Sequence, residues 1–199
     1  MFWDRVACVY DLFADVYNRK VHEQLKEAVC REIRKEDSVL ECACGTGMLT
    51  CAIAPRCQKL VATDFSEKMR LRTEEKCRSF PNTQVQEADI LNLPFLPESF
   101  DVVLAANVIH LLDDPMRAIH EMQRVCKKGG KLIIPTYMNR EKTGKASTFS
   151  RAVGKAGADF RASFTLSSYK AFIREAGFPD AAFTLVDGRV PCAVAVIRV

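Results

Sequence analysis

With 199 residues, the chain has room for one domain and at most an extra helical element. A chain of this size buries about 70% of its unfolded surface, so it needs no disulfide or metal staple to fold. Apolar residues make up 48% and charged residues 27%, the balance of an ordinary soluble globule. No apolar run approaches the ~18 residues of a membrane span. Asp4 and Arg5 fall where a signal peptide needs an unbroken apolar core, so a cytoplasmic location is expected. The net charge is +4, and residues 138–161 alone hold six basic residues against two acids. The excess therefore sits in one segment, which points to a local anion preference and excludes a general nucleic-acid binder. Nine cysteines without an export signal read as reduced, small apolar residues. Cys42, Cys44, Cys51 and Cys57 lack a paired CxxC, and no metal is expected.

In chain order, residues 2–34 read as helical. Val6, Val9, Leu12, Phe13 and Val16 keep helical spacing, as do Val21, Leu25, Ala28, Val29 and Ile33, and Asn18 divides the run in two. The first helix is amphipathic and aromatic, which suits a helix on the core, a lid over a pocket or a membrane-surface helix. Strands are expected at 38–43, 59–63, 83–88 and 100–105, with helices at about 46–54 and 66–78. Asp113-Asp114-Pro115 starts a helix, with an acidic cap and a proline in the first turn. Lys127-Lys128-Gly129-Gly130 is expected to end it, followed by a fifth strand at 131–137. Residues 138–164 interrupt the rhythm with three glycines and the basic excess. Ser167 is expected to cap a helix running to about Ala176, closed by Gly177. Residues 181–187 and 190–198 alternate apolar side chains around Asp187-Gly188, a hairpin turn signal. The expected fold is α/β, a Rossmann-like three-layer sandwich on a mostly parallel sheet ending in an antiparallel hairpin.

In such sheets ligands bind beyond the carboxyl ends of the strands. Four stretches fall there: Glu41 to Gly47, Asp64, Ala88 to Ile90, and Ala106 to His110. Their residue types suit a nucleoside. An ionised Asp64 can accept hydrogen bonds from a ribose diol, and Asp89 can accept from an adenine amino group. Met69 and Ile90 offer apolar surface to the ring, and the backbone from Ala43 to Gly47 can approach an amino-acid portion. A pyrophosphate-binding turn wants G-x-G-x-x-G, whereas here Gly45-x-Gly47 is followed by Thr50.

These stretches resemble those of the class I S-adenosylmethionine (SAM)-dependent methyltransferases. ECACGTG (41–47) is similar to that family's motif I, VATDFSEKM (61–69) to motif II, and residues 87–115 to motif III with the fourth strand and its following segment. RVCKKGGKLII (124–134) and REAGF (174–178) resemble the approaches to strands five and six. The match covers about 36–137 and 167–198, and its specificity lies in the combination. Glu41 replaces a commoner aspartate, and Ala43 stands where a glycine is usual. The resemblance implies a seven-stranded sheet with an antiparallel last strand and SAM as cofactor. Glu41, Ala43, Gly45 and Gly47 would shape the methionine end, and Asp64 with its neighbour Phe65 the ribose side. Met69, Asp89 and Ile90 would hold adenine, and Asn107 would approach the ligand after strand four.

The implied reaction is direct methyl transfer to an O, N, S or C nucleophile of a small molecule. His110, placed at the rim of the pocket, is the candidate base, while His22 and His120 read as structural. Tyr10 on the cofactor side and Tyr17 beside the reaction are candidates to close over the site. Residues 1–34 then form a helical lid and 138–164 a substrate-lid insertion on a single domain spanning 1–199. FWDRVACVYDLFADVYN, with Tyr10-Asp11, resembles quinone-biosynthesis and phosphatidylethanolamine methyltransferases, which leaves an amphiphilic acceptor and peripheral membrane contact as an alternative. An NAD-dependent oxidoreductase and a catalytically silent SAM-binding protein also stay open. No nucleic-acid partner is expected, and nothing in the sequence sets the oligomeric state.

Overall fold

The computed structural model describes residues 18–139 and 163–199. The expected first helix with Tyr10 and Tyr17, and the body of the basic segment, lie outside these residues.

Helix α1 (Arg19–Cys30) begins at Asn18, where the sequence pattern breaks, and ends before the expected 34. Val21, Leu25 and Val29 form its buried stripe, three and four residues apart as one helix face requires. Strand β1 (Ser38–Cys42), helix α2 (Met48–Ile53), strand β2 (Lys59–Asp64), helix α3 (Glu67–Cys77), strand β3 (Thr83–Glu87) and strand β4 (Phe100–Ala105) follow. Then come a short 3-10 turn (Ile109–Leu111), helix α4 (Pro115–Val125), strand β5 (Cys126–Tyr137), helix α5 (Leu166–Glu175), and strands β6 (Ala182–Val186) and β7 (Cys192–Arg198). Asp114 caps α4 by accepting from the Arg117 N–H at 3.0 Å, with Pro115 in the first turn.

Two expectations need correction. Helix α4 stops at Val125, and Lys127 to Gly130 belong to the start of β5. Cations followed by glycines carry the local signature of a helix end, but here they form an irregularity in the sheet. Phe100 pairs with Cys126 and Val102 with Lys131, so the register shifts between these two pairs. A side chain on Gly130 would meet the Asp101 carbonyl at 2.7 Å, which explains why no larger residue stands there. Helix α5 is capped by Thr165 rather than Ser167. Thr165 and Ser168 exchange side-chain and backbone bonds in a capping box.

The seven strands run in the order β3-β2-β1-β4-β5-β7-β6. All neighbouring pairs are parallel except β5–β7 and β7–β6, so β7 alone runs against the rest. Adjacent residues of one strand enter opposite cores, as a period of two demands. Leu40, Val103 and Ile134 join one cluster with Met122 and Tyr169, while Val39, Leu104 and Ile133 join the other with Leu25 and Leu49. Helices therefore cover both faces. The ends flanking residues 140–162 lie side by side, since Met138 bridges Phe164 and the Asn139 N–H donates to the Phe164 carbonyl at 2.7 Å.

Candidate functional site

The turn after β1 is held in an unusual backbone. Ala43, Gly45 and Gly47 all have positive φ, at 52°, 57° and 83°. For Ala43 the left-handed conformation costs about 1–2 kcal/mol that glycine would avoid. Tertiary bonds offset this cost. The Cys44 N–H donates to the Thr63 carbonyl at 2.9 Å, and the Thr73 hydroxyl donates to the Gly45 carbonyl at 2.8 Å. A side chain on Gly47 would meet Thr73 at 3.0–3.2 Å, whereas one on Gly45 would meet nothing within 4 Å. Gly47 thus serves helix packing, and Gly45 keeps a space open.

Asp64 ends β2 and faces this turn. One of its oxygens accepts from the Gly45 N–H at 2.9 Å and the other from the Ser66 N–H at 2.8 Å. Burial raises its pKa, and those two N–H groups and the Arg70 guanidinium counter the rise. Below the turn lies Glu41, which accepts the Thr50 hydroxyl at 2.7 Å. Burial pushes its carboxyl up to about 8, so it is largely neutral at pH 7.

A cavity of about 240 Å³ opens over the carboxyl ends of the first four strands. Seven residues singled out in the sequence line it: Ala43, Gly45, Asp64, Phe65, Met69, Ile90 and Asn107. Met69 and Ile90 are nearly buried, while Phe65 is 54% exposed. Asn107 takes a positive φ of 54° and donates its N–H to the Pro135 carbonyl at 2.8 Å, which ties the segment after β4 to β5.

Other candidates fall elsewhere. Gly47 and Glu41 support the turn from behind without reaching the wall. Asp89 folds its carboxylate onto the Leu91 N–H at 2.9 Å and shapes the turn after β3. His110 does not sit at the rim as its place after β4 suggests, because the 3-10 turn carries it inward. It is 5% exposed, and burial lowers its pKa to about 4. Its ring lies 6.5 Å from that of Tyr137, whose hydroxyl meets His22 Nε2 at 2.9 Å. The sequence reading missed Ser66, Leu111 and Leu112 on the wall, while Ala88, Ala106 and Val108 lie in the stretches it placed at the ligand end of the strands without a role of their own. Ser66 was detectable as the cap of α3, since its side chain accepts from the Met69 N–H.

Among the described residues, no group of three or more His, Cys, Asp or Glu side chains is placed to hold a metal, and no helix is long and apolar enough to cross a membrane.

Residues 40–134 match the family described as "Methyltransferase domain". A phosphatidylethanolamine N-methyltransferase from Cereibacter sphaeroides is 32% identical over 120 residues, 59% of this chain and 58% of that protein. A demethylmenaquinone methyltransferase from Staphylococcus aureus (strain JH9) is 30% identical over 136 residues, 66% of this chain and 56% of that protein. The matches thus span less than two thirds of either relative. A SAM-dependent methyltransferase from Thermotoga maritima superposes with a TM-score of 0.74 at 21% identity, covering 99% of both chains, which is a likeness of fold. Residues 40–134, which carry the motifs on the loops around this cavity, thus match a methyltransferase domain, and the seven-stranded sheet closed by an antiparallel last strand shares the fold of the Thermotoga maritima protein.

Proposed function

We propose that this protein binds SAM in the cavity above β1 to β4 and transfers its methyl group to a nucleophile of a small molecule. One observation carries the reading. A single concavity joins a carboxylate, a side-chain-free turn and an apolar wall, at Asp64, Gly45 and Met69 with Ile90. The dinucleotide alternative is disfavoured at Thr50, the position of the third glycine, where a buried side chain is committed to Glu41.

The residues fit the cofactor. Asp64 keeps acceptor capacity for ribose hydroxyls after receiving two backbone N–H groups, because an ionised carboxylate has about four lone-pair sites. The open space at Gly45 admits the amino-acid portion, and Met69, Ile90 and Phe65 flank the adenine. When bound, SAM supplies an electrophilic methyl carbon on a sulfonium. The chain's own contribution is orientation, which is worth up to ~7–11 kcal/mol when the reacting groups are well aligned. Asn107 and the apolar Val108, Leu111 and Leu112 exclude water from the side where an acceptor would enter. We assign no proton transfer to His110, because a buried imidazole with a pKa near 4 is a weak base at neutral pH.

Calorimetry with SAM, S-adenosylhomocysteine and NAD tests the reading. SAM and S-adenosylhomocysteine are expected to bind and NAD is not; NAD binding without SAM binding would replace the methyltransferase reading with an oxidoreductase. SAM binding without methylated product across a broad acceptor panel would favour a silent binding protein.

The second acceptor reading is an amphiphile, supported by the names of the two curated relatives and by the basic residues of 138–161. It keeps residues 1–34 and 138–164 as lids of a single cytoplasmic domain. Co-sedimentation with vesicles containing anionic lipid at low salt is expected only on this reading.

A further inference from the structure

Helices α2 and α3 grip the glycine turn from two sides, and one helical turn behind that grip two thiols meet. Cys51 Sγ lies 3.5 Å from Cys77 Sγ. The spacing is regular. Cys51 follows Gly47 by four residues and donates its N–H to the Gly47 carbonyl at 3.0 Å. Cys77 follows Thr73 by four residues, and Thr73 is the residue packed against Gly47 and bonded to the Gly45 carbonyl. On α3, Met69 of the cavity wall lies four residues to the other side of Thr73.

We propose that Cys51 and Cys77 form a redox-sensitive pair whose disulfide weakens nucleoside binding in the cavity. The oxidant is a hydroperoxide, ROOH. Cys51, the more exposed thiol, is oxidised to a sulfenic acid with release of ROH. The Cys77 sulfur then attacks the Cys51 sulfur. The S–O bond breaks, and the hydroxyl leaves with the Cys77 proton as water. Cys77 is the more buried thiol, which shields it from direct oxidation, and its sulfur is the one already placed against Cys51 to act as the resolving partner.

The mechanical consequence follows from the lever. A disulfide brings two sulfurs to about 2.05 Å, so this pair closes by roughly 1.5 Å. At Gly47 and Thr73 the helices are already in contact and cannot approach. Helix α3 therefore pivots there. Cys77 and Met69 stand about 6 Å to either side of the pivot, from a rise of 1.5 Å per residue. Drawing in the Cys77 end swings the Met69 and Ser66 end outward from Gly45, loosening the cavity wall.

This inference rests on the proposed cofactor site, and the test separates the two. The reduced full chain is treated with hydrogen peroxide, digested without reductant and mapped by mass spectrometry. S-adenosylhomocysteine affinity and amide hydrogen exchange over 64–69 are measured in both forms. A Cys51–Cys77 linked peptide is expected, with exchange over 64–69 accelerated and affinity lowered about tenfold, a coupling of ordinary size. Dithiothreitol should restore both, and Cys51→Ser should bind like the reduced protein while ignoring peroxide. Absence of the linked peptide, or a linked form with unchanged exchange, overturns the proposal. Failure of the reduced protein to bind S-adenosylhomocysteine overturns the cofactor reading and the loss of affinity with it, while the peptide map and the exchange data still judge the lever.

Discussion

Asp64 carries both the turn and the proposed ribose contact, and substitutions can separate these tasks. Asparagine keeps the size but has one acceptor oxygen, so either the Gly45 or the Ser66 N–H loses its partner. Leaving a buried donor unsatisfied costs about 1–3 kcal/mol. Asp64→Asn is expected to lower the melting temperature and to reduce S-adenosylhomocysteine affinity at least about tenfold, the loss that one charge-assisted bond implies. Calorimetry and thermal melts on the same samples would check this, and unchanged affinity would remove Asp64 from the ribose role. Gly45→Ala is the complementary case. The new methyl meets no protein atom, so beyond backbone strain it should chiefly obstruct ligand. At this scale the sequence spoke clearly where the chemistry is local. An acid ending β2 and glycines after β1 are visible in any short window. The wall at Leu111 and Leu112 was illegible because these leucines look like core residues, and only the 3-10 turn aims them at the cavity while burying His110.

At the scale of elements, the loop from Ala88 to Phe95 brings Ile90 to the cavity without regular structure of its own. Two side chains of α4 hold it. Arg124 donates to the Leu93 and Phe95 carbonyls at 2.9 and 2.8 Å, while Glu121 grips the same guanidinium through two bonds and accepts the Leu93 N–H at 3.0 Å. Lysine keeps the charge but not the planar fork. Arg124→Lys is therefore expected to accelerate amide exchange over 91–96 while leaving β1 and β4 protected. Loss of protection across the sheet would instead mean that Arg124 supports the whole fold. Most elements were legible from periodicity. The junction of α4 and β5 was not, because Lys127-Lys128-Gly129-Gly130 satisfies the local rules for a helix end. What decides the matter is the Asp101 carbonyl beside Gly130, a contact across strands. Gly130→Ala should cost about 1–3 kcal/mol, as overpacking against rigid backbone does.

For the whole molecule, two buried groups set opposite pH slopes. Glu41 is held near 8 in the fold against about 4.3 in the unfolded chain. Between these values the folded state keeps a proton that the unfolded state has lost, so stability falls as pH rises. His110 is held near 4 against about 6.5 unfolded, so between those values the unfolded state binds the extra proton and stability rises with pH. The two slopes oppose each other from about pH 4.3 to 6.5, and only the Glu41 loss continues from there to about 8. Glu41→Gln removes one arm. Denaturant titrations at several pH values should show the variant gaining stability up to about pH 6.5 and then levelling, where wild type declines. Parallel profiles would mean that Glu41 does not titrate in this range.

The bond pair between Asn18 and Val190 joins positions 172 residues apart, with the Asn18 amide donating to the Val190 carbonyl at 3.0 Å and accepting the Val190 N–H at 3.3 Å. It fixes an order of events. The clasp at the start of α1 cannot close until the β6–β7 hairpin is in place. Loop closure over such a separation comes late in assembly. Weakening this clasp should therefore leave the folding rate almost untouched and speed unfolding, so Asn18→Ala should show a φ-value near zero in stopped-flow chevrons. Helix α1 would then be the first element to leave the native protein under stress, exposing the β5–β7 side of the sheet before the cavity is lost.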